Sequence, residues 1–164
     1  MHRSTVVRLA FAMALAVVTT VAVPVRATGP DKFEGTINEY TDPASAIGAW
    51  HLTGKWSVHI KGTSGKADFT ASIAMVRPGT GASPHTHHVL LQDATITTTA
   101  NGWNIEGEPT ITSNGAGPAF AGSTVKVELT GDTVVLPSNV KFTFQGAAVG
   151  HFGSGAIDGV VAVD

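Results

Sequence analysis

From residue 50 onward, apolar and polar residues alternate with a period of two. Trp50, Leu52, Trp56, Val58 and Ile60 share one parity, with His51, Thr53, Lys55, Ser57, His59 and Lys61 on the other. Phe69, Ala71, Ile73 and Met75 repeat the pattern, as do Val125, Val127 and Leu129 before Gly131-Asp132, and Val140, Phe142 and Phe144 after Pro137. Successive side chains of a strand point to opposite faces, so each run predicts a strand with one buried face. The stretch "ITTTANGWNIEG" reads as two strands joined at Asn101-Gly102, the pair that best tolerates the positive φ angles of a tight hairpin. "AIDGVVAV" reads as a closing strand, with Asp158-Gly159 as a bulge or turn within it.

No stretch from residue 28 to 164 sustains apolar residues at helical spacing. The pattern therefore predicts an all-β chain, an antiparallel β-barrel or β-sandwich of about six to nine short strands with little or no helix. "DPASAIGA", Asp42 to Ala49, is the one candidate helical turn, and it reads equally well as a loop. "SNGAGPAFAGS", Ser113 to Ser123, is too rich in Gly and Ala for a strand and predicts a long surface loop. "GHFGSG", Gly150 to Gly155, predicts a second loop that sets His151 beside Phe152, where it could cap a barrel mouth. No internal repeat or linker divides the chain.

The first residues follow a different rule. Arg3 and Arg8 precede an uncharged apolar run from Leu9 to Val23, and "PVRA" ends at Ala27. That order is the layout of a secretory signal peptide cleaved after Ala27, and the run is shorter than the roughly 20 residues a spanning helix needs. Residues 1–27 are thus expected to be removed, leaving residues 28–164 as a single all-β domain in the periplasm or outside the cell. The signal holds three of the ten Lys and Arg and none of the twelve Asp and Glu, so the remainder carries seven basic against twelve acidic residues. A mildly acidic chain without a basic run offers nothing to nucleic acid or to anionic lipid, so neither is expected as a partner. The absence of cysteine excludes a disulfide scaffold and thiolate chemistry.

The chemistry concentrates in "PGTGASPHTHHVLLQ", Pro78 to Gln92. Residues two apart on a strand face the same way with Cα atoms about 6.5–7 Å apart. His85 and His87 therefore project together and could offer two imidazoles to one ion, while His88 points to the opposite face. Neutral imidazole suits Zn, Cu, Fe, Ni or Mn. Two ligands do not make a site, and the candidates for a third and fourth are Gln92, Asp93, His59 and His151. His51 and His59 share a parity but lie about 27 Å apart on a straight strand, too far to chelate one ion.

The spacing Gly79, five residues, His85, one residue, His87, four residues, Gln92 resembles the first motif of the cupin family, in which Gln sometimes replaces a Glu ligand. "GDTVVLPSNVKF", Gly131 to Phe142, resembles the second, through Gly131, Asp132 and Pro137. The two stretches cover about a third of residues 28–164 in the family's order. The resemblance implies a small β-barrel whose interior carries one divalent transition metal on His85 and His87, with Gln92 as a further candidate. The chain departs from the family where it has Phe142 in place of the second motif's His and Asn139 in place of its Gly. Gly102 also falls three residues later than the first motif's closing Gly.

Other features have plainer readings. Trp50 and Trp56 share the parity of the core residues beside them, so core is the expected role, with a ligand-binding face as the rival for both and for Trp103. Glu106 and Glu108 fit an exposed polar face better than an acid–base pair. No serine sits in a nucleophile-elbow pattern. The leading expectation is a secreted binding protein that holds a divalent metal, and with it a small ligand, near His85 and His87, with His151 a further candidate ligand. The alternatives are a metal-free secreted structural or protein-interaction domain and a cupin-type metal-dependent enzyme.

Overall fold

The computed structural model describes residues 31–114, 116–133 and 136–162, with the side chains of 116–118 not described. The expected signal segment lies outside the described residues. Ten strands form: β1 (Lys32–Tyr40), β2 (His51–Ile60), β3 (Lys66–Val76), β4 (His85–Thr99), β5 (Gly102–Gly107), β6 (Thr110–Ser113), β7 (Ala116–Ala119), β8 (Thr124–Thr133), β9 (Leu136–Gln145) and β10 (Ile157–Val161). Every pairing is antiparallel, in the order β1-β2-β3-β4-β5-β8-β9-β10, and β10 returns to pair with β1. The result is a closed eight-stranded barrel, the all-β class that the alternation predicts. Closure removes the exposed sheet edges that an open sandwich would have to protect.

The parity read from the sequence is the parity of the barrel wall. Leu52, Trp56, Val58 and Ile60 on β2, Phe69, Ala71, Ile73 and Met75 on β3, and Val140, Phe142 and Phe144 on β9 are all buried inside. An eight-stranded barrel is just wide enough for its inward side chains to fill it. Trp50, Trp56 and Trp103 are core residues, each at most 7% exposed.

Closure also explains two glycines. Gly35 on β1 faces the seam with β10, where a Cβ would collide with the Val160 carbonyl oxygen and crowd the Trp56 indole. The expected hairpin between β4 and β5 is present, but its turn is Ala100-Asn101 and Gly102 opens β5. Neither Asn101 nor Gly102 has a positive φ. Gly102 is needed for a different reason, because a Cβ there would collide with the Leu129 carbonyl on β8.

Three local expectations are corrected and one open reading is settled. Asp42 to Ala49 is not helical but a pair of tight turns, closed by Ser45 N–H to the Asp42 carbonyl and Gly48 N–H to the Ser45 carbonyl at 3.0 and 2.9 Å. A helical turn forms instead as a 3-10 turn (Gly146–Ala148) running into α1 (Val149–Phe152), whose last three residues fall in the loop expected over Gly150–Gly155. Burial of Ala148 and Phe152 drives it, and Gly146 and Gly153, at φ +71° and +84°, bracket it. The Ser113–Ser123 stretch contains β7, which pairs with β6. Main-chain pairing with a neighbouring strand outweighs the weak strand preference of Gly and Ala. Asp158-Gly159 is neither bulge nor turn: both residues pair in regular register with β9, and a Cβ at Gly159 would crowd the Thr36 carbonyl and Val140.

β4 carries a bulge that matters for the site. Phe69 pairs with Leu91 and Ala67 with Ala94, so Gln92 and Asp93 together face Asp68. Asp93 adopts φ +52° and its N–H donates to Asp68 at 2.9 Å. The Lys61 ammonium ties both carboxylates, at 2.8 and 2.7 Å. Its hydrogen bond, with that of the Asp93 N–H, holds the Asp68 carboxyl below the usual carboxylate range.

The seam gives a direct test. Gly35→Ala should destabilise the barrel by about 1–3 kcal/mol or more, as overpacking of a tight contact does. Gly155→Ala, where a Cβ meets open space at ordinary φ, should leave the melting temperature nearly unchanged. Equal melting temperatures for the two variants would show that the β1–β10 seam is not closed as described.

Candidate metal centre

The barrel mouth at the start of β4 is where the polar chemistry collects. His85 and His87 both face inward, opposite Met75 and Ile73 of β3, as a strand period of two requires. His88 is exposed on the outer face. His151 arrives from α1, which two contacts fix to the barrel. The Ala148 N–H donates to the buried Ser123 hydroxyl at 2.9 Å, and Phe152 stacks on Phe144 with centroids 4.2 Å apart.

The three imidazoles converge. Nε2 of His151 lies 2.8 Å from Nε2 of His87 and 3.1 Å from Nε2 of His85, and one ligand atom from each ring lies within 4.8 Å of the others. Among the described residues this group of metal-capable side chains holds three histidines and no carboxylate. Imidazoles bound tetrahedrally at about 2.0–2.1 Å sit about 3.3–3.4 Å apart. The His87–His151 contact therefore needs to open by about half an ångström, and the His85–His151 contact by about half as much, to admit an ion.

Proton accounting favours a cation there. His85 Nδ1 lies 2.7 Å from the Ser83 carbonyl, which only accepts, so His85 carries its proton on Nδ1 and a lone pair on Nε2. The same hydrogen bond orients the ring, as the outer partner of a metal-bound histidine does. The 3.1 Å contact then requires an N–H on His151 Nε2, and the 2.8 Å contact requires a lone pair on His87 Nε2. His87 is left with its proton on Nδ1, a buried atom with no hydrogen-bond partner. The Thr112 backbone is near enough to favour the charged form slightly but makes no well-aligned bond. Without an ion, one proton is shared between two lone pairs, so one lone pair is poorly paired, while the His87 Nδ1–H is unpartnered in either case. A cation in place of the shared proton would receive three lone pairs at once.

The surroundings keep the His87 and His151 rings neutral. His87 is 1% exposed, and its pKa is lowered to about 4, first by burial and then by the neighbouring His151 and His85. Burial, followed by His85, lowers that of His151 as well. Neutral rings at neutral pH are what metal ligation needs.

Aromatic rings wall the trio. Phe152 lies 4.9 Å from His87 and 5.1 Å from His151, and Trp50 meets His85 edge-on at 5.2 Å. Phe120 lies over His151 at 5.2 Å with the planes 30° apart. The Arg77 guanidinium sits 3.8 Å above the Trp50 ring and donates to the Ile47 and Ala49 carbonyls at 3.1 and 2.9 Å. Phe120 has φ +60°, an unusual conformation for a bulky side chain, held in place by the ring packing around it.

Of the residues singled out from the sequence, His85, His87 and His151 meet. Gln92 does not: it is exposed on the outer face, five residues from His87 and so of opposite parity, with no bulge between them. Asp93 is bound to Lys61, and His59 is exposed beside Asp31 at 4.0 Å. Phe142, at the position of the second motif's His, packs in the barrel core against Phe69. Glu106 and Glu108 are exposed, as the plainer reading had them. The sequence reading gave no part to Phe120 or Arg77, and for Trp50 it preferred a core role to a ligand-binding face; no local pattern marks any of them as neighbours of the histidines. Comparison with protein-family models, with curated proteins and with solved structures gives no match, so the site stands on its own geometry.

The buried imidazoles carry a pH signature. Unfolded, His87 protonates near pH 6.5, whereas in the fold it stays neutral to about pH 4. In that window the unfolded chain binds more protons, so stability is full above pH 6.5 and is lost as pH falls toward 4, by about 3 kcal/mol for this group. Chemical denaturation in chelator from pH 7.5 to 4 should show this slope, and His87→Leu should remove most of it. A slope unchanged in the variant would place the acid sensitivity elsewhere.

Proposed function

We propose that this chain is an exported metal-binding barrel in which His85, His87 and His151 hold one divalent transition metal at the mouth. The observation that carries this reading is the convergence of three Nε2 atoms whose protons cannot satisfy one another. The residues fit the group: three imidazoles suit Zn, Cu, Ni or Fe, with no thiolate or carboxylate to bias the choice. Export rests on the N-terminal pattern, Arg3 and Arg8 before an apolar run ending at Ala27. The cupin resemblance supports the reading through the inward His85 and His87. His151 takes the ligand role that the resemblance would give to a position on β9.

A second reading, a metal-dependent enzyme, is favoured by one observation. Three protein ligands leave a tetrahedral ion one position short, as in catalytic rather than structural zinc sites. A bound ion would supply Lewis acidity there. The chain's own part would be to orient the rings through Ser83 and to exclude water with Phe120 and Phe152.

Metal content of untagged residues 28–164, dialysed against divalent ions, should approach one equivalent by mass spectrometry and vanish in His85→Ala/His87→Ala. Metal at a hundredfold excess over its Kd should raise stability by about 2.7 kcal/mol in the native chain and not in His151→Ala. The gain should shrink below about pH 6 as protons compete for the lone pairs. Equal melting shifts for native and variant chains, or no metal in either, would leave the histidines as a packing feature of a metal-free interaction domain.

A further inference from the structure

The donor set at the mouth contains no negative charge. Among the described residues, the group of metal-capable side chains there includes no carboxylate, and Glu39 and Asp42 line a depression beside Phe152 instead. Asp42 accepts the Ala44 N–H within its own turn at 2.8 Å. A divalent ion on His85, His87 and His151 would keep its full +2 charge beside a residue that is 1% exposed and against three aromatic rings, Trp50, Phe120 and Phe152. The Arg77 guanidinium, one ring away from His85 across Trp50, adds a permanent positive charge of its own. In so apolar a setting, uncompensated charge is expensive, and the favourable partner is a negative one.

The same walls limit its size. Phe120 stands 5.9 Å from His87 and 5.2 Å from His151, Phe152 stands 4.9 and 5.1 Å from the same two rings, and Trp50 closes the His85 side. The larger depressions open elsewhere. One of 690 Å³ lies on the outer face by Lys55 and His88, and one of 340 Å³ lies beyond Phe152 by Tyr40 and Asp42.

We infer that the metal-loaded centre is a receptor for one small monoanion, such as hydroxide, a halide, azide or formate, bound to the ion as its fourth ligand. Phe120 sets the size limit. This inference rests on the proposed metal site. It adds a ligand class, negative and only a few atoms in size, that the three histidines alone do not specify. The strained φ of Phe120 offers an unusual handle, because glycine occupies φ +60° without penalty and Phe120→Gly removes the ring while relieving the backbone.

The test uses Co(II) as a visible probe on untagged residues 28–164. Azide titrated into the cobalt-loaded protein should change the visible bands to a one-to-one end point, and formate should compete with it. Benzoate should leave the native spectrum unchanged and should bind in Phe120→Gly, with azide still bound by that variant. A stoichiometric cobalt spectrum indifferent to azide and formate would overturn the anion inference while leaving the metal site standing. Benzoate binding to the native protein as tightly as azide would overturn the size limit. Failure of cobalt to bind at all would bring down the metal reading and this one with it.

Discussion

The molecule is organised around an inward-facing imidazole in a barrel filled by its own apolar side chains. His87 and Ser123 are the buried polar side chains among the described residues. Ser123 is satisfied by the Ala148 N–H, but His87 has only other imidazoles to turn to. A closed eight-stranded barrel gives no freedom to turn the residue outward, because shifting β4 by one position would expose Val89 and Leu91 and bury His88. The pleat therefore forces an imidazole into the mouth. The rest of the mouth, from α1 to the ring of Phe120, packs around that imidazole.

Much of this was legible along the chain because closure and alternation are both period-two properties. Parity alone placed His85 and His87 on one face and His88 on the other, the family resemblance turned that pair inward, and parity put Phe69, Phe142 and Trp56 in the core. The same rule, applied to Gln92, would have set it aside: five residues from His87 is an odd step, and the bulge that could have rescued it falls at Gln92 and Asp93 rather than before them. The motif spacing was followed there against the geometry. His151 was reachable as a candidate because it sat beside Phe152 in a glycine-bounded stretch, but nothing local fixed its direction.

What escaped the sequence reading depends on contacts between distant segments. Phe120 lies in a Gly- and Ala-rich stretch whose composition signals a loop, and it becomes part of the mouth only because β7 pairs with β6. Its left-handed φ has no sequence signature at all, since phenylalanine is among the residues least suited to it. The helical turn was misplaced for a related reason. Four residues cannot sustain a helix by propensity, so α1 exists because Phe152 finds Phe144 and Ala148 finds Ser123, partners 8 and 25 residues away.

The third ligand changes the physics of the site more than its number suggests. His85 and His87 are two residues apart, so the unfolded chain can offer the same pair to an ion at almost no cost, and binding through them alone would do little to favour the fold. His151 is 64 residues beyond His87, and an unfolded chain must close that loop to use it. The entropy of closure falls on the unfolded state alone, because in the barrel α1 is already held by Phe152 and Ser123. A three-ligand ion thus discriminates between the folded and unfolded chain where a two-ligand ion hardly can. In a cysteine-free chain it would do across 64 residues what a disulfide does elsewhere, tying a mobile-length segment to the wall at the point where the wall's one unsatisfied imidazole stands.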